Sequence, residues 1–435
     1  MTDRAERMPL EGVRVVDLSI VWAGPHGTRL LGDMGADVIK VEALTRMDPI
    51  RGRAEAKSNE GIFPDGEAGE RPFNRHGYFN ERNRNKRSLT LDLKAEPTRE
   101  AFRRLVAVSD VVLDNFASGV MERLGFGYEA LHAIQPRLIV VQMPSFGTTG
   151  PEAGYRGFGA TNDQLSGLVS VTGYAPKPGE PVQPQNLGIN ASDPIAGAHA
   201  AVAILAALER RRRTGQGAFI DLAHRESATR LLGYEVLDYT LNGRIAQPRG
   251  NGHRSWVQGV YRCAGEEAWV TVSIRSDTEW SGLAAVLRVG GIDEGLLVDA
   301  HFATGLRRWK HQTALGELIE QWTVTRSPRE AAEELQAAGV AAAPVQGPEE
   351  YFVDPQMRAR DWWLAIETEE TGRHEYYGIS WKNRRHPGGV RRPFPALGEH
   401  NAEILIDLLG YSQAEYESMV GAGLVGTDPR DVSGD

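Results

Sequence analysis

The chain has 435 residues, of which 41% are hydrophobic and 25% charged, the composition of an ordinary globular protein long enough for two domains or one elaborated domain. A net charge of −9 argues against bulk attraction to nucleic acid or an anionic membrane, and the single cysteine, Cys263, excludes an internal disulfide framework. No run of about 18 uninterrupted apolar residues is present to span a membrane, and the opening MTDRAERMPLEG lacks the apolar stretch of a secretory signal, so a cytoplasmic location is expected.

In chain order, short β-rich runs at 13–18, 37–42, 88–93, 111–115 and 138–143 alternate with helical patterns. This alternation predicts an α/β fold with a mostly parallel sheet covered by helices. Between the first two runs lies AGPHGTRLLGDMG, where Leu30, Leu31 and Met34 make one apolar face before Gly35 stops the helix. Residues 51–80 are polar and rich in Gly and Pro and read as a long loop, whereas 97–109 and 128–135 read as helices.

The clearest helix starts at Ser192. Either Ser192 or Asp193 suits its N-cap, and Pro194 suits its first turn. Ile195, Ala198, Val202 and Leu205 recur on one face, the arginines at 210–213 complement the helix dipole, and Gly215 provides the stop. Beyond it, GVYRCAGEEAWVTVSI predicts a β-hairpin turning at Ala264, Gly265 and Glu266, followed by helical patterns. The expected organisation is a large Rossmann-like first part over 1–225, a linker and smaller α+β domain over 226–335, and a return to the large domain over 336–435, with AAAPVQG at 341–347 in the return.

Several residues invite chemistry. Gly24, Gly27 and Gly32 follow the first strand, but their G-x-x-G-x-x-x-x-G spacing lacks the close G-x-G needed at a dinucleotide pyrophosphate and fits a tight turn opening a helix. Arg82, Arg84, Lys86 and Arg87 form a basic run that reads either as a solvated face or as a site for a small polyanion. Asp193 reads as a plain N-cap or as a nucleophile, since a helix N-terminus favours an ionised carboxylate. No metal-ligand spacing occurs, and the absence of G-x-S-x-G leaves Ser166 without support as a nucleophile.

Read together, LEGVRVVDLS, AGPHGTRLLGDMGADVIKVE, NRNKRSLTLDLK, DVVLDNFASGVMERLGFGYEAL, SGLVSVTG, DPIAGAHAAVAILAALERRRRTGQG, GVAAAPVQ, DPQMRAR and LGEHNAEIL resemble one family in order over most of the chain. It is the class III CoA-transferases of CaiB/BaiF type, which include formyl-CoA transferase, the carnitine CoA-transferases and the α-methylacyl-CoA racemases. The resemblance implies a large Rossmann-like domain built from both chain ends, a small domain between them, and an interlocked homodimer. It also implies an acyl-CoA and a carboxylic acid as substrates, with no permanently bound cofactor and no metal. Carried over by position, the family's CoA contacts fall on Trp22 and Ala23, on Leu91, Asp92, Leu93 and Lys94, on Asn115, Phe116 and Ala117, and on Arg123 and Arg156. Trp22 stands where formyl-CoA transferase has glutamine, and Ala43 where it has arginine.

The family's transferase nucleophile falls on Asp193, in the D-x-x-x-G context ending at Gly197. The racemases' acid falls on Gly159, in GFGATNDQLSG, and Asp163 is a poor substitute four residues on. The resemblance therefore implies a CoA-transferase working through covalent aspartyl intermediates on Asp193. Backbone N–H groups of Gly250, Asn251 and Gly252, in a loop that aligns with a glycine-rich active-site loop, are either oxyanion donors or part of a simple turn. The alternatives are an α-methylacyl-CoA racemase or isomerase, and a CoA-binding subunit without catalysis.

Overall fold

The computed structural model describes residues 8–177, 179–385 and 388–430. Contacts divide the chain into two units. The larger takes the described residues up to Leu168, Leu187–Leu241 and those from Arg358 onward; the smaller takes Val169–Asn186 and Asn242–Met357.

The larger unit is built on a six-stranded sheet of β1 (Arg14–Asp17), β2 (Asp37–Glu42), β3 (Lys86–Thr90), β4 (Val111–Asp114), β5 (Ile139–Gln142) and β6 (Ala218–Asp221). Its order is β3-β2-β1-β4-β5-β6 and every pairing is parallel. That is the doubly wound order with a switch point between β1 and β4, where ligands of such sheets bind. Successive strand residues go to opposite faces. Val16, Ile39 and Val112 join Phe102, Leu105 and the C-terminal Ile404, Leu405 and Leu409, while Val15, Val38 and Val111 join Leu31, Ala196, Ala200 and Ile204. Each such Leu, Ile or Phe contributes roughly 1.5–3 kcal/mol by leaving water.

The third strand begins at Lys86, two residues before its apolar pattern, because both cations at its start are buried and paired. Lys86 Nζ meets Asp17 Oδ2 at 2.8 Å, and Arg87 reaches Asp37 and Glu403. Arg84 pairs with Asp33 at 2.7 Å. Three of the four basic residues in the 82–87 run are thus structural cations, and only Arg82 lies outside this pairing. The 51–80 stretch expected as a loop contains short helical turns and the start of a helix at Gly77–Asn83, whose Phe79 is fully buried.

Helix α1 (Ala23–Asp33) crosses the long helix Ser192–Thr214 at a distance set by two glycines. A Cβ on Gly27 would stand 2.7 Å from Gly197 O, and one on Gly197 would stand 2.4 Å from Ala23 O. The buried stripe of the long helix is consequently Ala196, Gly197, Ala200, Ala201 and Ile204, rotated from the Ile195/Val202/Leu205 face expected from hydrophobicity; Val202 is 65% exposed. Close helix approach selects small residues, and size outranks hydrophobicity at this crossing. Gly215 closes the helix as anticipated, at φ 74° with its N–H donating to Arg211 O.

In the smaller unit, β7 (Val257–Arg262) and β8 (Trp269–Ile274) form the expected antiparallel hairpin. β9 (Ala341–Pro344) pairs with β8, so the 341–347 segment belongs here, and the chain re-enters the larger unit at Arg358, later than the expected 336. Strand pairing, which local composition does not encode, decides this. The unit's core is Val270, Val272, Leu283, Leu287, Leu315, Ile319, Trp322 and Leu335.

Candidate active site

The residues that gather around Asp193 come from four elements of the larger unit: α1, a short helix Gly159–Leu165, the long helix Ser192–Thr214, and the helix His224–Thr229 that follows β6. Helices that follow strands in a parallel sheet start at its carboxyl edge, which brings Trp22 and His224 to the same rim.

Asp193 is not the N-cap. Ala191 occupies that position with helical backbone angles and no side-chain cap, and the cap's work is done from another helix. Asp163 accepts from Ser192 N at 2.8 Å and from Ala191 N at 3.1 Å, and is itself buried. One carboxylate therefore satisfies orphan amides at the helix N-terminus, and the second, in the first turn, is relieved of that duty. Ser192 and Asp193, the two residues expected to cap, both lie inside the helix.

Asp193 is 6% exposed. His224 is the only side chain forming an ion pair with it among the described residues, Nδ1 lying 3.5 Å from Oδ1. The same Nδ1 is 3.3 Å from Asn162 Nδ2. With its proton on Nε2 the imidazole accepts from Asn162 at Nδ1, and protonated on both nitrogens it faces Asp193 as an ion pair. His224 Nε2 and Asn162 Oδ1 are both buried without a hydrogen-bond partner. Gly159 packs directly on the carboxylate: a Cβ there would fall 2.6 Å from Asp193 Oδ2 and 2.6 Å from Asn190 Cβ. No acid can occupy position 159 while Asp193 and Asn190 stay where they are.

Trp22 begins the turn into α1 and is half-buried. The preceding Val21 has φ 67°, a left-handed conformation rare for a β-branched residue. It is held from two sides. Asp48 Oδ1 accepts from Val21 N at 2.9 Å, and the Asn115 amide both accepts from Ile20 N and donates to Ile20 O, each at 2.8 Å. Asn115, expected to touch ligand, spends its side chain bridging β4 to the turn after β1. Ala23 is buried against the helix crossing. His26, next along α1, is driven down to about 3 by burial and by the nearby cations Arg29, Arg82, Lys86 and Arg84, and is neutral near pH 7.

Of the remaining expected contacts, Leu91 and Leu93 are core residues, so only their backbone faces the rim; Asp92 and Lys94 form a turn with Lys94 N donating to Asp92 Oδ1 at 3.0 Å. Phe116 N donates to Asp114 Oδ1 at 3.1 Å, and Ala117 follows in the same turn after β4. Burial pushes the Asp114 carboxyl up to about 7. Arg123 and Arg156 are exposed. In the smaller unit Gly250 N donates to Gly173 O and Gly252 N to Arg249 O, which commits two of the three amides of the 250–252 loop. Among the described residues no cluster of three or more His, Cys, Asp or Glu side chains is arranged for a metal ion. No described helix is long and apolar enough to cross a membrane.

Residue pattern did not single out His224, Asn162 or the capping role of Asp163. A histidine placed immediately after a strand at the carboxyl edge, as in IDLAHRES, is the signal that points to His224.

Comparison with known proteins fits this geometry. Residues 10–401 match CoA-transferase family III. The chain is 32% identical to succinyl-CoA–D-citramalate CoA-transferase of Chloroflexus aurantiacus, over 95% of this chain and 97% of that one. It is 31% identical to succinate–glutarate CoA-transferase of Agrobacterium fabrum (94% and 98%) and 30% identical to formyl-CoA:oxalate CoA-transferase of Streptomyces avermitilis (96% and 99%). Among solved structures, a CaiB/BaiF family protein from Brucella suis superposes with a TM-score of 0.80 at 31% identity, covering 93% of this chain and 100% of that chain. A shared parallel-sheet fold, a family match over most of the chain and end-to-end relatives that are CoA-transferases lead to one conclusion: this chain belongs to the class III CoA-transferases.

Proposed function

We propose that the protein moves CoA from an acyl-CoA to a carboxylic acid through covalent intermediates on Asp193. The observation that carries this reading is a buried carboxylate in the first turn of a helix whose terminal amides are already capped by Asp163. Asp193 Oδ attacks the donor thioester carbonyl; the C–S bond breaks, and the CoA thiolate leaves with the electron pair, giving a mixed anhydride. The thiolate attacks the aspartyl carbonyl and expels the donor acid as its carboxylate. The acceptor carboxylate then attacks the aspartyl thioester, releasing thiolate again, and the thiolate takes the acceptor acyl group and restores the Asp193 carboxylate. Charge balances without a net proton. His224 Nδ1, 3.5 Å from Oδ1, is the imidazole nitrogen beside the nucleophile.

CoA is assigned to the carboxyl edge of the sheet, with Lys94, Arg123 and Arg156 as exposed cations for its phosphates and with backbone at Trp22, Ala23, Leu91–Leu93 and Asn115–Ala117. A homodimer of interlocked chains accounts for the apolar surface of helix Gly233–Asn242, where Leu237, Tyr239 and Leu241 are 58%, 60% and 76% exposed. A racemase needs an acid where Gly159 stands, and Asp193 and Asn190 crowd that position.

The test is Asp193→Ala and Asp193→Asn with acyl-CoA donors and carboxylic acids, read by mass spectrometry. Transfer is lost in both, and hydroxylamine traps an Asp193 adduct in the wild type. Retained transfer would sink the reading, and deuterium uptake at the substrate α-carbon without transfer would move it to an isomerase. Light scattering checks the oligomer, for which a monomer at micromolar concentration is the contrary result.

A further inference from the structure

Arg82 is the one cation of the 82–87 run without a tight protein carboxylate. Its residue is 8% exposed, Nε is buried with no hydrogen-bond partner, and among the described residues its only donated bond runs from Nη1 to Tyr78 O at 2.9 Å. The nearest acid, Glu81, stands 3.7 Å away and is committed to Arg29 by a much shorter contact. The guanidinium is fixed by its neighbours: its carbon lies 4.4 Å from the Trp22 ring and 5.1 Å from the Tyr78 ring. Burial lowers its pKa and the Arg29 charge adds to that, while Glu81 and, to a smaller extent, Tyr78 and Asp193 oppose the shift. A buried, oriented guanidinium without a carboxylate partner is costly, and its free Nε–Nη2 edge has the geometry that receives a carboxylate through two parallel hydrogen bonds.

We infer that Arg82, held against Trp22, receives the second carboxylate of a dicarboxylic acid whose other carboxyl group reacts at Asp193. The inference rests on the reading of Asp193 as nucleophile. It assigns Arg82 and Trp22 to substrate selection: a monocarboxylic acid of equal length leaves the guanidinium unpaired, and a dicarboxylic acid satisfies it. The three cations assigned to CoA phosphates are exposed, unlike Arg82, which separates the two kinds of anion site.

The experiment compares kcat/KM for glutarate and valerate as acceptors from succinyl-CoA in the wild type, Arg82→Gln and Arg82→Lys. The glutarate-to-valerate ratio falls by about 10- to 100-fold in Arg82→Gln and by less in Arg82→Lys, which keeps charge without the planar fork. Circular dichroism and thermal melts check folding, and Arg82→Lys carries the test if the Gln variant does not fold. Equal losses with both acids would make Arg82 a counter-charge for Asp193 and overturn the inference. A raised KM for succinyl-CoA and butyryl-CoA alike would place Arg82 on CoA and also overturn it. Trapping of the Asp193 adduct is run in parallel. An adduct with an unchanged ratio rejects the role of Arg82 alone, whereas no adduct in the wild type rejects the nucleophile on which it rests.

Discussion

Beneath the turn after β1, Asp17, Lys40, Asp48 and Lys86 are all fully buried, and each is paired: Lys86 with Asp17 at 2.8 Å and Lys40 with Asp48 at 2.9 Å. Ser19 N, Thr28 Oγ1, Asn83 Oδ1, Pro25 O and Val21 N fill further hydrogen-bonding positions around them. Around Asp193 the wiring is different. Among the described residues, His224 Nε2 and Asn162 Oδ1 and, on helix Gly77–Asn83, Arg82 Nε are buried without hydrogen-bond partners. Buried polar groups are almost always satisfied, because leaving one unpaired costs about 1–3 kcal/mol. In the first cluster Asp48 Oδ2 is the one atom without a hydrogen bond among the described residues, and it faces Lys40 Nζ at 2.9 Å, so the cluster is compensated within the protein and is structural. The second leaves hydrogen-bonding capacity open beside the carboxylate proposed as nucleophile.

That contrast breaks first at the ion-pair cluster. Burial alone would raise the Asp17 carboxyl, but Lys86 and Lys40 outweigh it and hold it at about 2. Lys86→Met should destabilise the fold by about 3–5 kcal/mol in urea denaturation, and adding Asp17→Asn should recover much of the loss. A single variant costing under about 1 kcal/mol would remove the cluster from the list of structural elements. Asp114 tests burial without a compensating cation. Its folded pKa of about 7 lies above the ordinary 3.8, so its stabilising share is complete below about pH 4 and is lost as pH rises through 7. One pKa unit corresponds to about 1.4 kcal/mol, so Asp114→Asn should raise stability on the order of a few kcal/mol at pH 8 and change little at pH 4. Equal effects at both pH values would contradict the assignment.

The cluster around Asp193 should give smaller changes in stability and larger ones in rate. Asp163→Ala removes two amide acceptors at the helix N-terminus and should cost about 1–2 kcal/mol of stability, with kcat falling as Asp193 is drawn toward capping. Asp163→Asn should restore most of the stability. Gly159→Ala should cost about 1–3 kcal/mol by overpacking, and reduce kcat more than the KM values change, since the added Cβ meets Asp193 Oδ2 and Asn190. An unaltered kcat would show that the carboxylate tolerates displacement.

Much of the larger unit was legible before any coordinates. Five of its six parallel strands, the helix after β1 and the helix carrying Asp193 each have a local signature of β-branched runs, apolar spacing or a glycine stop. The edges of those elements were less legible where charge is buried. β3 starts at Lys86 because Asp17 waits on β1, a partner 69 residues away in sequence. The buried face of the Asp193 helix escaped hydrophobic periodicity because the Gly27–Gly197 approach rewards smallness.

The α/β alternation, the family motifs and an aspartate in the first turn of an Ala-rich helix can all be read along the chain. These depend on residues near one another along the chain. Only the tertiary structure decided what that aspartate is free to do. The cap comes from Asp163 on another helix, the imidazole from His224 after the last strand of the sheet, and the space from Gly159; a guanidinium with only a long contact to a carboxylate is recognisable once every other cation of its run has found its acid. Pairing between groups distant in sequence is set by where the fold brings them, and that decides which buried charges are spent on structure and which remain for substrate.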